Sequence, residues 1–407
     1  MRNIIVWLHV ALLAAALAYA EDEGGISVTP HGFAYFQIGQ AVKTREPANN
    51  QKWDQHANVR FTLDAAISER LQVILGAEGE IWVNPGDNNY KIGIYPKEGQ
   101  GIYSFSDEPE PFLQLAIGYF PFKYNSDAQN LGEYLLRSGA YPQYIITDFE
   151  NAKIRLVGLR LSSTLFSSLR QDLLFTSDIQ RIPYYDYTLS YLLHYYSLFD
   201  MIDVGAGVTF HRLFPIEKEK TTDPDNVVID ENFLPVVKNG DTLRYTIKGT
   251  KLMGRISFDP KKLFKTDIFG ERDLRLYAEG AILGIKNYRW YYDTLAHRIP
   301  FMVGFNFPAF NVLDVASLEC ELFRSEQQNP FPKDASPFPG EEDEWVTKDD
   351  LKWSLYLRKT IVKGFRISGL IASDHLRYVN AGGERNQNEE LRDIGHWHYK
   401  LRFMYSF

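Results

Sequence analysis

The residues His396–Phe407, HWHYKLRFMYSF, decide the fold of this chain. Every second place holds an apolar and mostly aromatic side chain, namely Trp397, Tyr399, Leu401, Phe403, Tyr405 and Phe407. The alternating places hold His396, His398, Lys400, Arg402, Met404 and Ser406. Successive side chains on a β-strand point to opposite faces. The stretch therefore predicts a strand with one apolar face and one polar, mainly basic face.

Two kinds of protein use such a strand. A soluble sandwich buries the apolar face against a second sheet, whereas a membrane barrel turns it to lipid and keeps the polar face on the lumen. The other end of the sequence favours the barrel. Met1-Arg2-Asn3, an apolar run from Ile4 to Leu17 and the small-x-small triplet Ala18-Tyr19-Ala20 predict a signal peptide, residues 1–20, cleaved after Ala20. A retained anchor is the weaker alternative, because the run is barely long enough to span a bilayer.

Composition narrows the class of protein further. Residues 21–407 contain no apolar stretch long enough for a transmembrane helix. A mean hydropathy below zero is compatible with a membrane barrel, since only alternate residues of a barrel strand face lipid. The formal net charge of −8 disfavours nucleic acid as a partner. Cys320 is the single cysteine and is in phase with Leu318 and Leu322, so we expect it on the apolar face.

Strand-like alternation recurs along the whole of 21–407 at a spacing suited to hairpins. The predicted strands are 26–41, 58–68, 71–83, 101–106, 112–120, 152–162, 169–179, 185–197, 202–212, 243–258, 273–285, 298–307, 313–323, 351–360, 365–378 and 393–407. The total is about 16 strands, or 14 if one boundary is misplaced. Sixteen is a number at which a barrel encloses an aqueous channel.

The lengths of the connections support this count. In outer-membrane barrels short turns and long loops alternate between the two ends. Counted back from Phe407, the long connections 379–392, 324–350, 286–297, 213–242 and 122–151 all fall at one end. The connection Asp259–Arg272 is long for the short-turn end. Upstream of Phe112 the alternation holds only if a strand lies within 84–111, which is why a weak strand is placed at 101–106.

One segment of the mature chain has helical composition. Gln129–Ser138, QNLGEYLLRS, lies in the long connection after the fifth strand, and Gly139 can cap its end. A short helix between barrel strands resembles the inward-folded constriction loop of porins. Glu133 and Arg137 are our candidates for lining that constriction, although their i, i+4 spacing equally permits a plain helix salt bridge.

Taken together, the chain resembles the porin-like outer-membrane barrels of diderm, Gram-negative-type bacteria, including the general and phosphate-selective porin classes. The marks are Ala18-Tyr19-Ala20, the strand ending at Phe407 and the helix-bearing loop. The resemblance implies an all-β, transmembrane, antiparallel up-and-down barrel over 21–407, located in the cell outer membrane. It also implies passive diffusion of small hydrophilic solutes or ions.

The same resemblance implies partners. The aromatic strand from Trp397 to Phe407 would serve as the signal that the outer-membrane assembly machinery reads. The barrel would contact the lipid bilayer and lipopolysaccharide. Porins are often trimers, so a homotrimer is expected, although no stretch of sequence identifies its flat apolar wall.

The polar phases of the predicted strands supply the lumen candidates. The basic candidates are Arg60, Arg170, Lys251, Arg255, Arg275, Lys352, Arg358, Arg366, Lys400 and Arg402. The acidic candidates are Asp64, Glu78, Glu80, Asp172, Asp203, Glu279, Glu319, Glu321 and Asp374. Segregated on opposite walls, these charges would create a transverse field across a constriction; interspersed, they would pair off. The signs nearly balance and no one-sided arginine ladder is visible, so phosphate selectivity is not predicted.

No catalytic constellation emerges, and we predict neither an enzyme nor a cofactor. His396-x-His398 supplies only two metal ligands, and Gly205-x-Gly207 lies inside a strand with no helix after it. Asp223-Pro224-Asp225 and the run Glu341–Glu344 could bind calcium or be solvated loop faces. Two other classes stay open: a structural or adhesion protein acting through loops 213–242 and 324–350, and an outer-membrane enzyme in a narrower, filled barrel.

Overall fold

The structure is a computed structural model of the full chain. It describes residues 26–407 except 46, 85–88, 109–110, 139–144, 148, 150–153, 167, 179–186, 199–200, 215–234, 236, 243–248, 265–267, 286–293, 325–350, 378–388 and 392. The predicted signal peptide and both candidate calcium stretches lie outside the described residues.

Sixteen antiparallel strands form one closed barrel. In chain order, β1 to β16 are Ser27–Lys43, Lys52–Ala66, Leu71–Asn84, Asn89–Ser104, Leu113–Phe122, Ile154–Phe166, Leu169–Asp178, Tyr187–Leu198, Ile202–Phe214, Gly249–Phe258, Leu276–Ile282, Phe301–Asn306, Val315–Leu322, Leu351–Val362, Phe365–Ser373 and Trp397–Ser406. A small hairpin, Val237–Lys238 with Asp241–Thr242, lies in the connection between β9 and β10. The predicted all-β antiparallel barrel of about 16 strands is confirmed.

The barrel closes where the quoted C-terminal stretch pairs with the first strand. β16 runs antiparallel to β1, with Gln37 opposite Arg402. Beyond the strand, the backbone N–H of Phe407 donates to Gly32 O and the Gly32 N–H donates to Phe407 O, both at 3.0 Å. A Cβ atom at Gly32 would lie 2.2 Å from the carbonyl oxygen of Arg60. Glycine is therefore required for this close approach.

Short and long connections alternate between the two ends of the barrel, as predicted. The connections 67–70, 167–168, 199–201 and 363–364 mark the short-turn end; 123–153, 215–248, 323–350 and 374–396 mark the long-loop end. The weak strand proposed at 101–106 is the end of β4, Asn89–Ser104, which is much longer than predicted. The long connection at the short-turn end contains a 3-10 helix, Pro260–Leu263, that Asp259 caps through the Lys261 N–H at 3.1 Å.

Alternate side chains face opposite sides of the closed sheet. Val59, Phe61, Ile117 and Ile256 belong to the outward phase and are exposed. Cys320 also lies on the outer face, as predicted. His398, Arg402 and other polar side chains of the opposite phase are buried toward the lumen. The aromatic side chains of β16 thus lie on the outside of the barrel, not in a protein interior. No helix among the described residues is long and apolar enough to cross a membrane.

The structure corrects two predicted segments. The helix expected over Gln129–Ser138 is a single turn, α1, Tyr134–Arg137. Gly132 and Glu133 have φ of +87° and 60°, a left-handed conformation that prevents a helix from starting earlier. The strand expected from Arg298 begins only at Phe301, because Leu295–Arg298 forms a 3-10 turn.

Candidate functional site

The connection after β5 folds into the barrel. We call its described residues, 123–138, 145–147 and 149, the inward loop. From Asp127 to Ser138 every side chain is buried. Because the outward phase of the barrel is exposed, this burial must come from the lumen wall. The predicted inward-folding loop is therefore present, although only one turn of it is helical.

Glu319 on β13 is the main anchor of the inward loop. Its carboxylate accepts three successive backbone N–H groups, from Gln129 at 2.5 Å, Asn130 at 2.9 Å and Leu131 at 2.8 Å. The hydroxyl of Tyr277 donates to it as well, at 2.8 Å. A buried carboxylate is stable when several donors satisfy its oxygens. The loop backbone thus supplies the hydrogen bonds that stabilise a carboxylate on the lumen phase.

Two more glutamates hold the segment that contains α1. Glu279 on β11 accepts hydrogen bonds from the Tyr124 hydroxyl at 2.7 Å, the Asn125 amide at 2.7 Å and the Tyr134 N–H at 2.9 Å. Glu321 on β13 accepts the Tyr134 hydroxyl at 2.7 Å. Burial and then the Glu321 carboxylate raise the pKa of Tyr134 well above its usual value. The hydroxyl therefore remains a donor over the ordinary pH range.

Cations and amides complete the attachment. The Lys251 ammonium on β10 donates to Leu135 O and, at 2.9 Å, to Ser138 O. These carbonyls belong to the end of α1, where backbone acceptors lack helical partners. Arg275 pairs with Asp127 at 2.7 Å, and the Asn130 amide donates to Asp374 at 2.7 Å. The loop is thus tied to the wall from β10 to β15, which we call the anchored wall.

An apolar core fills the space between the inward loop and the wall. Its members are Phe120, Phe122, Tyr124, Ala128, Leu131, Tyr134, Leu135, Leu136, Ile145, Ile154, Leu156, Leu174, Leu192, Met253, Tyr277, Ala281, Leu283, Met302 and Phe323. Leu174, Leu192, Met253 and Met302 occupy the lumen phase of their strands. This part of the lumen is therefore dry and packed like the interior of a soluble protein.

Glu133 and Arg137 do not line a constriction. Both side chains are almost wholly buried, and they form the i, i+4 pair at 3.4 Å that their spacing also permitted. Glu133 accepts the backbone N–H groups of Tyr124 and Asn125, both at 2.8 Å. The left-handed turn at Gly132 and Glu133 directs these side chains into the loop. They stabilise its shape instead of facing water.

The end of the last long connection is fastened beside the inward loop. His375 lies between Glu321 at 2.7 Å and Glu389 at 3.1 Å. Lys352 approaches Glu389 at 2.5 Å and also donates to Leu391 O. Burial lowers the pKa of His375, but Glu389 and Glu321 outweigh it and raise the pKa to about 10. Burial raises the pKa of Glu389, yet Lys352, His375 and Arg377 bring it to about 2.

The wall formed by β1 to β4, with β6 and β16, carries a different kind of charge cluster; we call it the open wall. Arg60 on β2 meets Glu78 on β3 at 2.5 Å. Lys97 on β4 bridges Glu78 at 3.1 Å and Glu80 at 3.0 Å, and Arg155 on β6 lies 3.9 Å from Glu78. The two glutamates of this cluster are thus ion-paired across the strands.

Other lumen candidates are spread around the barrel. The Arg402 guanidinium lies over the rings of Tyr35 at 4.3 Å and Phe149 at 4.4 Å, and it donates to Gln37 at 2.8 Å. The remaining candidates have local partners or are half-buried on the lumen phase. Arg170 pairs with Asp172, Asp64 accepts from Gln72, Arg255 contacts His194, Lys400 lies 3.9 Å from Asp54, and Asp203, Arg358 and Arg366 are half-buried.

The structure resolves the arrangement of the lumen charges that the sequence left open. On the open wall the two signs are interspersed and pair off. On the anchored wall Glu279, Glu319 and Glu321 are covered by the inward loop. Of the candidate metal pair His396-x-His398, His398 pairs with Asp374 at 3.0 Å. No group of three metal-ligating side chains occurs among the described residues.

This architecture has known counterparts among solved structures. A Salmonella typhi OmpF in complex with daunomycin superposes with a TM-score of 0.52 at 12% identity, over 93% of this chain and 97% of that one. The chain has a porin-type barrel fold. A triple mutant and a double mutant of the Rhodopseudomonas blastica porin align over 94% of this chain and 100% of theirs, with TM-scores of 0.48 and 0.49 and identities of 9% and 8%. No protein-family model and no curated protein sequence matches.

The sequence analysis did not predict the apolar core between the inward loop and the lumen wall of this porin-type barrel. Its signal was a break in the alternation: Leu174, Leu192, Met253 and Met302 are apolar side chains in otherwise polar phases. Apolar residues on the lumen side of neighbouring strands predict something packed against them. The anchoring carboxylates Glu279, Glu319 and Glu321 were identified as lumen residues, but their role as acceptors for N–H and hydroxyl groups of the loop was not.

Proposed function

We propose that the protein is an outer-membrane channel through which small hydrophilic solutes or ions diffuse passively. The observation that carries this proposal is the combination of an apolar outer face with a charged lumen that an inward loop narrows from one side. An apolar outer band can contact the lipid chains, and a polar interior is compatible with a water-filled channel. The path we propose runs along the open wall, past Arg60, Glu78, Glu80 and Lys97.

The location follows from the same reasoning. A closed barrel leaves no unpaired strand edge in the bilayer. The aromatic strand Trp397, Tyr399, Leu401, Phe403, Tyr405 and Phe407 is proposed as the signal for the outer-membrane assembly machinery, with lipopolysaccharide and lipid as surroundings. A homotrimer belongs to this proposal on the porin resemblance, and analytical ultracentrifugation in detergent tests it.

Conductance in planar bilayers tests the channel. Purified, refolded protein with the strand signal in circular dichroism should give stepwise currents when added to the bilayer. Because the inward loop and its core occupy one side of the lumen, the unit conductance should increase when residues 124–149 are replaced by a short glycine-serine linker. Folded protein that inserts into the bilayer but stays silent contradicts the proposal and favours a structural or adhesive role.

A further inference from the structure

In several ion pairs of the lumen, the two side chains differ in the fraction that is exposed to water. The side chain of Arg170 is 45% exposed and that of Asp172 is 2%. Arg60 and Glu78 show 21% and 5%, and Arg275 and Asp127 show 25% and 4%. In each pair the cation is the member that solvent reaches.

Side-chain length explains the asymmetry. Aspartate and glutamate are short and remain close to the wall, whereas arginine and lysine carry their charge at the end of a long apolar stem and extend toward water. Glu78 shows this most clearly, since Arg60, Lys97 and Arg155 all approach it and each is more exposed than it is. Lys400 and Asp54 differ in the opposite sense, at 17% and 21%, and so does the almost wholly buried pair of Lys352 and Glu389, at 1% and 3%.

The inward loop removes further negative charge from contact with water. Glu279, Glu319 and Glu321 are fully buried beneath it, with their oxygens bound by loop amides and tyrosine hydroxyls. The cation Lys251 is covered as well, and His375 is buried against Glu321, so two cationic groups stand against three carboxylates. The near balance of signs along the sequence therefore does not describe the surface that a solute meets.

We propose that the lumen favours small anions over cations. This inference rests on the proposed channel function and specifies its solute class. Among the described residues, the pairs of Arg60 and Lys97 with Glu78 and of Arg170 with Asp172 present a guanidinium or ammonium group to water, and their carboxylates lie deeper. Charge of one sign along a lumen raises the local concentration of the opposite ion. Arg60, Lys97, Arg155 and Arg170 are the residues that carry the preference.

The reversal potential of the channel under a KCl gradient tests the proposal. We expect the sign that indicates chloride preference. Lys97→Gln and Arg170→Gln should each lower the ratio of chloride to potassium permeability, and the double variant should lower it by roughly twofold or more. Lys359→Gln is the matched control, because Lys359 lies on the outward phase of β14 and its loss removes the same charge outside the lumen.

The outcomes separate the two proposals. A conducting wild-type channel that prefers potassium, or variants that shift the ratio no more than Lys359→Gln does, overturns the anion preference and leaves the channel function intact. Folded protein without any current overturns both. Chloride preference that falls in Lys97→Gln and Arg170→Gln but not in the control supports the inference.

Discussion

The anchored wall and the open wall expose the same phase of the same kind of strand to the lumen, yet they satisfy their carboxylates differently. Glu319 on the anchored wall binds backbone N–H groups of the inward loop in a dry setting. Glu80 on the open wall pairs with the ammonium of Lys97 at 3.0 Å, and both side chains keep some exposure to water, 12% and 17%. Hydrogen bonds in a dry environment are costly to lose, whereas exposed pairs contribute little. Matched substitutions on the two walls should therefore have unequal effects.

The largest expected effect comes from removing the main anchor. Glu319→Ala leaves three buried N–H groups without an acceptor, and we expect the inward loop to lose about 4 kcal/mol of local stability. Hydrogen exchange at Gln129, Asn130 and Leu131 measures it. Glu80→Ala is the control and should cost under about 1 kcal/mol. Equal protection of the loop amides in both variants would refute the distinction between the walls.

Two lysines give the next comparison. Lys251→Met removes the donor from the carbonyls of Leu135 and Ser138, and the loop should lose about 2 kcal/mol. Lys97→Met, on the open wall, should change stability by less, about 1 kcal/mol, because Arg60 and Arg155 remain beside Glu78 and water reaches this cluster. Thermal unfolding in detergent followed by circular dichroism compares them. A larger loss of stability in the Lys97 variant than in the Lys251 variant would contradict the distinction between the anchored wall and the open wall.

Two glycines probe packing instead of charge. A Cβ at Gly207 on β9 would lie 2.5 Å from Cδ1 of Leu135, whereas a Cβ at Gly254 on β10 meets nothing within 4 Å. Gly207→Ala should destabilise the seated loop by about 1 kcal/mol, and Gly254→Ala should be neutral in the same unfolding assay. If the two variants unfold at one temperature, the loop does not pack against β9 as described.

The smallest effect on the inward loop is expected from the titration of His375 and Glu389, because His375 contacts the loop anchor Glu321 and this pair is linked to the loop through that anchor. Glu389 has its pKa lowered from 4.5 to about 2, so its contribution is present above pH 4.5 and is lost as pH falls through 2. His375 has its pKa raised from 6.5 to about 10, so its contribution is complete below pH 6.5 and is lost as pH rises through 10. The segment Glu389–Leu391 should therefore be best protected from exchange between pH 4.5 and 6.5. Protection that is flat from pH 4 to pH 9 contradicts this.

Period-two alternation predicted the barrel, because lipid-facing and lumen-facing positions differ in chemistry at every step. The strand number of about 16 also needed the alternation of short and long connections, which placed the weak strand at 101–106. The outward position of Cys320 follows from the period-two pattern, whereas the pairing of Phe407 with Gly32 became known only from the structure. The extent of α1 was not predictable from composition, since the left-handed turn at Gly132 and Glu133 overrides helix propensity.

The partners of the lumen charges could not be predicted from the sequence either. Glu319 and Glu78 have the same chemistry and the same phase, but one meets loop amides and the other meets Arg60. Which of these occurs depends on where a loop nearly two hundred residues away in sequence is placed. Apolar side chains on lumen phases, such as Leu174, Leu192, Met253 and Met302, indicate within the sequence the side of the barrel on which the loop lies.

The anchors of the inward loop lie far downstream of the loop itself. Asn130 reaches Glu319 across 189 positions and Asp374 across 244. Contacts that distant cannot form until most of the sheet exists. The inward loop therefore remains solvated while the later hairpins are added, and it docks against the wall at the end of assembly. A barrel arrested midway would be a wide, unobstructed half-cylinder, and its permeability would be decided only at the final step.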